Sequence, residues 1–201
     1  MPGDVSYYRD TIGSMLEETH RLTQLVDSLL TMARADAGRV QLHRSDVNLF
    51  EVASETVGLL EVLAEEKQQD IQIEGDRSVM VEADRTILRQ ALANLIHNAV
   101  KYSPVSGNIR IRIRETELDA IVEVQDSGPG IPHEHRARIF ERFYRVDKSR
   151  TRAGGGAGLG LSIAQWAVGM HGGKIEVECE TGPGSIFRVY LPKNTSSVAV
   201  R

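Results

Sequence analysis

A seven-residue repeat near the start of the chain limits its possible folds more than any other feature of the sequence. Between about Ser6 and Ala37, apolar or small residues recur every seven positions in two series. The first series is Ile12, Thr19, Val26 and Ala33, and the second, three places later, is Met15, Leu22 and Leu29. The stripe is widened by Leu16, Leu25, Leu30 and Met32. Together these residues predict one long helix of the kind found in four-helix bundles.

This helix cannot bury its apolar stripe by itself. No second helix of this type precedes it in the sequence, so we expect it to pack against a partner helix and a second subunit, as a homodimer. The alternative is an amphipathic helix that folds back on its own chain. Gly38 follows the repeat and predicts the end of the helix, so a domain boundary is expected at about residue 45.

Composition indicates an ordinary soluble globular protein. The formal net charge of the 201 residues is -4, which argues against a basic nucleic-acid-binding surface, so no nucleic-acid partner is expected. No apolar run approaches the roughly 20 residues that a membrane-spanning helix needs, so membrane attachment is expected only through segments outside this sequence. Cys179 is the only cysteine, which rules out an intrachain disulfide and favours a reducing, cytoplasmic compartment.

Residues 46–193 show helix and strand patterns that predict one further domain. Ile109, Ile111 and Ile113 alternate with arginines, which indicates a strand with one buried and one solvated face. The full order is helix, strand, strand, helix, hairpin, irregular segment, helix, hairpin. This order predicts an α+β fold, a two-layer α/β sandwich in which helices cover one face of a mixed, mostly antiparallel sheet.

The predicted bounds of these elements follow from the local patterns. The helices are expected at Leu49–Lys67, Asp84–Tyr102 with Asp84 as N-cap, and Leu159–His171, and the two single strands at Asp70–Ile73 and Ser78–Glu82. Residues 132–157 lack strand alternation and end in a run of glycines, which is typical of a lid with a short helix inside. Residues 194–201 are expected to be a disordered tail.

Polar side chains line one edge of the helix that ends at Tyr102. Asn94, Asn98 and Lys101 are spaced by four and three residues, so they lie on one side of the helix. A carboxamide oxygen suits Mg²⁺, a lysine adds a point charge for phosphates, and Tyr102 offers a ring for stacking. An isolated asparagine is usually a solvated side chain, so this interpretation depends on the motifs that follow.

The carboxylate of Asp126 is expected to face the core. It has the strand parity of Val122 and Val124, and a buried carboxylate needs a hydrogen-bond donor. The exocyclic amine of adenine would serve, and the following turn at residues 128–131 lets the backbone approach a flat base. An aspartate that caps its own glycine turn is the alternative.

Glycines immediately before the last helix predict an anion site. Gly156, Gly158 and Gly160 bring free amide groups and the positive end of the helix dipole to one point, which favours a di- or triphosphate. The sequence contains neither G-x-x-x-x-G-K-[ST] nor G-x-G-x-x-G. The P-loop, dinucleotide-binding and eukaryotic-type protein kinase classes therefore lose their main support.

In their order and spacing, these stretches resemble the ATP-binding region of bacterial sensor histidine kinases, within the wider fold shared with gyrase, chaperone and mismatch-repair ATPases. The family's N box, first glycine box, F box and second glycine box are matched by Asn94–Tyr102, Asp126–Gly130, Phe140–Phe143 and Gly156–Leu161. Gly182–Phe187 resembles the third glycine box, with Ser185 in place of threonine. Residues 6–37 resemble the second helix of the family's dimerisation bundle, which with its linker would span residues 1–45, without the first helix that carries the phosphorylated histidine.

The resemblance implies ATP and Mg²⁺ as ligands and gives roles to individual residues. Asn98 would be the Mg²⁺ ligand, Lys101 would contact phosphate, and Tyr102 and Asp126 would bind adenine. Arg142, Arg145 and Lys148 would meet the phosphates when the lid closes. Catalysis would depend on Asn98, Lys101 and Arg145. The complete predicted ATP-binding set is Asn94, Asn98, Lys101, Tyr102, Asp126, Gly128, Gly130, Ile131, Arg142, Tyr144, Arg145, Lys148, Gly156, Gly158, Leu159, Gly160, Leu161 and Ser185.

Asn94 and the sequence contexts of the histidines indicate whether the γ-phosphoryl group is transferred to a protein or to water. The gyrase-type relatives place a glutamate base one turn before the Mg²⁺ asparagine, and Asn94 occupies that position here, where an amide cannot accept a proton. None of the six histidines has the context of the phosphoacceptor, so the acceptor is expected outside this chain, with onward relay to a response regulator. The alternatives are a nucleotide-binding regulatory module without phosphotransfer and a gyrase-type ATPase.

Overall fold

A computed structural model describes residues 5–37, 40–146, 157–179 and 184–193. The helices and strands of these residues follow the predicted order, and most bounds lie within two or three residues of the predicted ones. In chain order they are α1 (Val5–Asp36), β1 (Ser45–Asn48), α2 (Leu49–Glu65), β2 (Asp70–Gly75), β3 (Met80–Ala83), α3 (Arg85–Tyr102), β4 (Asn108–Glu115), β5 (Asp119–Gln125), α4 (His133–Arg136), α5 (Gly160–Met170), β6 (Lys174–Glu178) and β7 (Ile186–Pro192).

Five strands form the main sheet, in the order β2-β4-β5-β7-β6. β2 runs parallel to β4, whereas the other three neighbouring pairs are antiparallel. Helices α2, α3 and α5 pack on the inner face of this sheet and share one apolar core with it. The predicted α+β sandwich with a mixed, mostly antiparallel sheet is confirmed.

The core is built from the inward residues of β4 and the apolar side of α3. Ile109, Ile111 and Ile113 are at most 1% exposed. The large side chains of α3 that share this core and are 0% exposed are Leu88, Leu92, Leu95 and Ile96. Each such side chain contributes about 1.5–3 kcal/mol by burial. The helix that carries the polar edge is therefore firmly held on the sheet.

The outer face of the sheet is less open than the alternation on β4 suggests. Its arginines are exposed, as predicted, but Glu123 on β5 is only 8% exposed. Arg114 and Arg188 reach the Glu123 carboxylate at 3.1 and 2.8 Å. Burial acts to raise the pKa of Glu123, but the hydrogen bonds and charges of these two arginines outweigh it and lower the pKa. The outer face is therefore a network of cross-strand ion pairs.

Two short strands lie outside the main sheet. β1 and β3 pair antiparallel in a sheet of their own. β1 leads directly into α2, which Asn48 caps by accepting a hydrogen bond from the Glu51 amide at 3.1 Å. The domain boundary at about residue 45 stays a prediction.

Helix α1 leaves most of its apolar stripe exposed. Ile12, Met15, Leu22 and Val26 are 57%, 66%, 53% and 50% exposed. Near its end, Met32 is 5% exposed and clusters with Leu159 and Ile163. Among the helices of the described residues, none is long and apolar enough to cross a membrane.

Some predictions fall on residues outside the described ranges. These are the glycine stop at Gly38, the lid residue Lys148, the glycine Gly156, the start of the third glycine box at Gly182, and the tail at 194–201.

Candidate functional site

The candidate site is organised around α3, whose start is fixed by Asp84. The Asp84 Oδ1 atom accepts hydrogen bonds from the amides of Thr86 and Ile87 at 3.0 and 3.1 Å. Burial acts to raise the pKa of Asp84, but backbone amides, first that of His43, outweigh it and lower the pKa. The predicted N-cap is confirmed, and it fixes where the helix that carries Asn94, Asn98 and Lys101 begins.

The polar edge of α3 remains accessible in the fold. Asn94, Asn98 and Lys101 are half-buried, and Tyr102 is 53% exposed. The Lys101 ammonium lies 5.3 Å from the centre of the Tyr102 ring. The side chain of Asn98 forms no hydrogen bond with any described residue, which leaves its amide oxygen available to a ligand.

Asp126 lies at the end of β5, 9% exposed. Its Oδ1 atom accepts hydrogen bonds from the amides of Gly128 and Ser185 at 2.8 and 3.2 Å. No described residue donates to Oδ2. Burial raises the pKa of Asp126, although the two amides act to lower it. The alternative role, capping of its own glycine turn, is thus real, but it uses only one of the two carboxylate oxygens.

The turn after Asp126 packs directly against the end of α3. A side chain on Gly128 would place its Cβ 2.8 Å from Asp126 Oδ1 and 3.0 Å from the carbonyl oxygen of Tyr102. On the other side, Gly184 has a φ of +119°, and its Cβ would lie 2.3 Å from the Asp126 carbonyl oxygen. Only glycine fits at these two positions. The small size of Gly128 and Gly184 thus lets the segments around Tyr102, Asp126 and Gly184, which are far apart in sequence, pack closely together.

The start of α5 reaches the other end of the polar edge. The Asn94 amide oxygen lies 2.9 Å from where a Cβ of Gly160 would be, while its Nδ2 donates to the Gln90 carbonyl at 3.0 Å. No side chain caps the first turn of α5 in the described part of the chain. The amides of that turn therefore remain available to an anion beside Asn94.

The segment of Phe143 and Tyr144 docks on Gly158, just before α5. The Phe143 amide donates to the Gly158 carbonyl at 2.9 Å, and a Cβ on Gly158 would lie 2.8 Å from the Phe143 backbone. The Tyr144 hydroxyl is 2.6 Å from His135 Nδ1, and Arg138 lies 4.4 Å from the centre of its ring. Tyr144 is thus engaged within the predicted lid.

Basic groups near Lys101 influence one another. Burial, and then the charge of Arg145, lower the pKa of Lys101. Desolvation, and then the charge of Lys101, lower the pKa of His97. An anion bound beside Lys101 and Arg145 would offset this repulsion.

The remaining predicted residues occupy different settings. Gly130 adopts a φ of +75°, and Ile131 packs against the main core. Leu159 is 2% exposed and faces Met32 of α1, whereas Leu161 packs against the main core. Arg142 is exposed. In the described ranges, no three His, Cys, Asp or Glu side chains group as a metal site, so a cation here would depend on amide oxygens and on its ligand.

One buried histidine was not anticipated by the sequence analysis. His171, 4% exposed, accepts a hydrogen bond from the Asp84 amide through Nε2 at 2.9 Å, and its Nδ1 lies 2.7 Å from the Ala167 carbonyl. Burial lowers its pKa, which keeps the ring neutral. His171 joins the end of α5 to the start of α3, a contact that no local pattern reveals.

The sequence of the chain matches a known family and known relatives. The family model described as histidine kinase-, DNA gyrase B-, and HSP90-like ATPase matches residues 83–195. The chain is 38% identical over 177 residues to the sensor histidine kinase WalK of Bacillus subtilis, which covers 87% of this chain and 29% of WalK.

Solved structures agree with this comparison. Full-length ShkA in complex with AMPPNP is similar with a TM-score of 0.80 and 30% identity, over 92% of this chain and 38% of ShkA. Histidine kinase ThkA in complex with the response regulator protein TrrA is similar with a TM-score of 0.74 and 30% identity, over 94% of this chain and 52% of ThkA. The chain thus spans less than half the length of WalK and ShkA.

Proposed function

Because this chain belongs to the histidine kinase-, DNA gyrase B-, and HSP90-like ATPase family and carries the ATP-binding catalytic domain of a sensor histidine kinase, we propose that it binds Mg-ATP beside α3 and donates the γ-phosphoryl group to a histidine outside residues 1–201. The observation that carries this proposal is the convergence of Tyr102, Gly128 and Ser185 on Asp126, whose second carboxylate oxygen is left available.

Adenine would bind at this end of the site. Asp126 Oδ2 would accept a hydrogen bond from the exocyclic amine, because Oδ1 is already used by two backbone amides. The exposed ring of Tyr102 would cover one face of the base, and the backbone of residues 128–131 would approach it closely. ShkA in complex with AMPPNP supports an adenine nucleotide as the ligand.

The phosphates would extend along the polar edge of α3 toward α5. Lys101 and Arg145 would supply positive charge, and the uncapped amides at the start of α5 would bind phosphate oxygens. Arg142 and Lys148 would add charge from the lid. The amide oxygen of Asn98 would hold Mg²⁺, which when bound shares phosphate oxygens and neutralises their charge.

Transfer rather than hydrolysis is favoured by Asn94. In the reaction, an imidazole nitrogen forms a bond to the γ-phosphorus while the bond from phosphorus to the β,γ-bridging oxygen breaks, and ADP leaves with that electron pair. Water needs a base to become an effective nucleophile, and Asn94 is an amide that already donates to Gln90. The residues therefore position the phosphoryl group and stabilise its charge.

The parent protein would act in a two-component pathway. The exposed stripe of α1 supports a homodimer through this helix, and ThkA in complex with TrrA supports a response regulator as the partner that receives the phosphoryl group. A cytoplasmic location is supported by the use of ATP and by the single cysteine, Cys179.

A transfer assay tests this function. The chain is incubated with Mg²⁺, [γ-³²P]ATP and a separately prepared helix pair that carries the acceptor histidine. We expect acid-labile, alkali-stable label on the acceptor, strongly reduced by Lys101→Met. Lys193→Met is the matched control, because its ammonium bonds Glu115 at 2.7 Å, away from the site.

Label on residues 1–201 would refute the assignment of the acceptor to another segment. ATP binding without transfer to any acceptor would instead support a regulatory module, and rapid release of inorganic phosphate would support an ATPase.

A further inference from the structure

The last turn of α3 receives an unusual set of donors from the turn between α2 and β2. The Lys67 ammonium donates to the carbonyl oxygens of Val100, Lys101 and Ser103 at 2.8, 2.8 and 3.1 Å. The side-chain amide nitrogen of Gln69, Nε2, lies 3.0, 3.0 and 3.1 Å from the carbonyl oxygens of Val100, Ser103 and Pro104. We call these two side chains the C-terminal clamp of α3.

The clamp acts where a helix is weakest. The last carbonyls of a helix have no partner within it and carry the negative end of the helix dipole. A half-buried ammonium that donates to three of these carbonyls gives them hydrogen-bond partners. Its positive charge also offsets the negative end of the helix dipole. Gln69 is only 9% exposed, so its bonds to these carbonyls are largely shielded from solvent.

The clamped turn is the one that carries the predicted nucleotide contacts. Lys67 bonds the carbonyl of Lys101 itself, whose side chain is assigned to the phosphates, and Asn98 and Tyr102 flank it on the same turn. The clamp also extends to the adenine end, because the Ser103 hydroxyl accepts a hydrogen bond from the Ser127 amide, next to Asp126, at 3.3 Å.

The turn that bears the clamp is itself held in place. Gln68, between the two clamp residues, has a φ of +54°, and the Gln69 amide donates to the Ala64 carbonyl at 2.9 Å, so the helical course of α2 ends at this turn. The Ser106 amide donates to the Lys67 carbonyl at 2.9 Å, and the Asp70 amide donates to the Gly107 carbonyl at 3.1 Å. The α2–β2 turn and the segment after α3 thus hold each other through backbone and side chains.

We infer that Lys67 and Gln69 are positioning residues for phosphotransfer: they fix the last turn of α3 so that Asn98, Lys101 and Tyr102 meet Mg-ATP together. This inference rests on the proposed roles of those three residues. Neither clamp residue touches the nucleotide in this assignment. Their effect would pass through the backbone of α3.

The test measures Mg-ATP affinity by calorimetry and amide hydrogen exchange along α3. Lys67→Met should weaken Mg-ATP binding about tenfold, the equivalent of roughly 1.4 kcal/mol. It should also speed exchange at residues 99–104 while the amides at the start of α3 stay protected. Gln69→Leu should shift both readouts in the same direction, and Lys193→Met should leave them unchanged.

Conservative variants separate positioning from general stability. Lys67→Arg keeps the charge and the donors, so it should bind Mg-ATP within about threefold of the natural chain, whereas Lys67→Gln, which loses the charge, should fall between Arg and Met. If Lys67→Met does not fold, the ranking of the Arg and Gln variants decides the question. If the Arg and Gln variants both bind Mg-ATP as tightly as the natural chain, the inference is overturned.

Two further outcomes also overturn the inference about Lys67 and Gln69. Both can be distinguished from an error in the proposed phosphate site. Lys67→Met with unchanged Mg-ATP affinity in a folded chain would show a purely structural clamp. Faster amide hydrogen exchange over the whole chain, and not only at residues 99–104, would also show a purely structural clamp. If Lys101→Met leaves Mg-ATP affinity unchanged, the proposed phosphate site is wrong, and any effect of Lys67 cannot arise from positioning Lys101.

Discussion

Helices α1 and α3 both carry long apolar stripes, yet the fold treats them in opposite ways. Leu88, Leu92 and Leu95 on α3 are fully buried, whereas Leu22 and Val26 on α1 are about half exposed. α3 finds its partners in a sheet and two helices of the same chain. α1 meets the rest of the described chain through an apolar cluster near its end, at Met32.

The difference shows which part of the chain is complete by itself. The described chain from β1 to β7 closes its own core. There α3 is capped by Asp84 at its start and held by Lys67 at its end. α1 has the pattern of a bundle helix, and most of its apolar stripe packs against no other part of the described chain. The comparison therefore predicts that mutations in α3 act on folding of the single chain, and that mutations in α1 act on association.

The largest expected effect comes from cutting a buried side chain of α3. Leu95→Ala should lower the free energy of unfolding by about 2–5 kcal/mol, because it leaves a cavity in a closed core. Leu22→Ala, its match on α1, should change it by less than about 0.5 kcal/mol at low protein concentration. Urea denaturation measures both. An equal loss for Leu22→Ala would favour the alternative in which α1 folds back on its own chain.

A smaller effect is expected on association. Val26→Glu places a charge in the predicted seam and should weaken self-association by about 2 kcal/mol, roughly 30-fold. Sedimentation equilibrium over a range of concentrations gives this value. Val105→Glu is the control, since Val105 is 65% exposed in a loop outside the stripe. A dimer that is insensitive to Val26→Glu would place the dimer interface elsewhere.

The smallest effect concerns Glu123 on the outer face of the sheet. Its pKa is lowered in the folded chain, so its contribution to stability is present above the ordinary glutamate pKa of about 4.3 and is lost as pH falls through the folded-state pKa. Glu123→Gln should cost about 1 kcal/mol at pH 7, because the paired arginines remain partly solvated.

Thermal or urea unfolding from pH 7 to pH 3 measures this dependence. The difference between the natural chain and Glu123→Gln should shrink toward zero at the acid end. A difference that is constant with pH would show that packing of the side chain, and not its charge, stabilises the sheet.

Patterns within a few residues of one another were sufficient to predict the elements of this fold. The isoleucine and arginine alternation of β4, the Asp84 cap and the polar edge at Asn94 and Asn98 all depend on local geometry. Through their resemblance to a family, the five boxes also predicted which stretches belong to one site.

Contacts between distant residues were not predictable in the same way. The parallel pairing of β2 with β4, the burial of Glu123 and the clamp of Lys67 on Lys101 depend on where the chain returns in space. A lysine at the end of a helix gives no sign that its ammonium will bond carbonyls more than thirty residues later. Such partners appear only when the sheet order is known.

The Asp126 carboxylate offers the most direct test of the proposed site, because its second oxygen is assigned to the adenine amine. The measurement is a calorimetric titration of Mg-ATP into the natural chain and into Asp126→Asn, each between pH 7 and pH 4.5. Asn keeps an oxygen for the amides of Gly128 and Ser185 but turns the other acceptor into a donor.

Burial raises the pKa of Asp126, so its ionised form opposes folding and its contribution to stability falls as pH rises through the folded-state pKa. Asp126→Asn should therefore be at least as stable as the natural chain at pH 7. We predict that it loses at least about tenfold in Mg-ATP affinity, while the natural chain loses affinity as pH falls toward the raised pKa. Unchanged affinity in a folded Asp126→Asn chain would contradict the account.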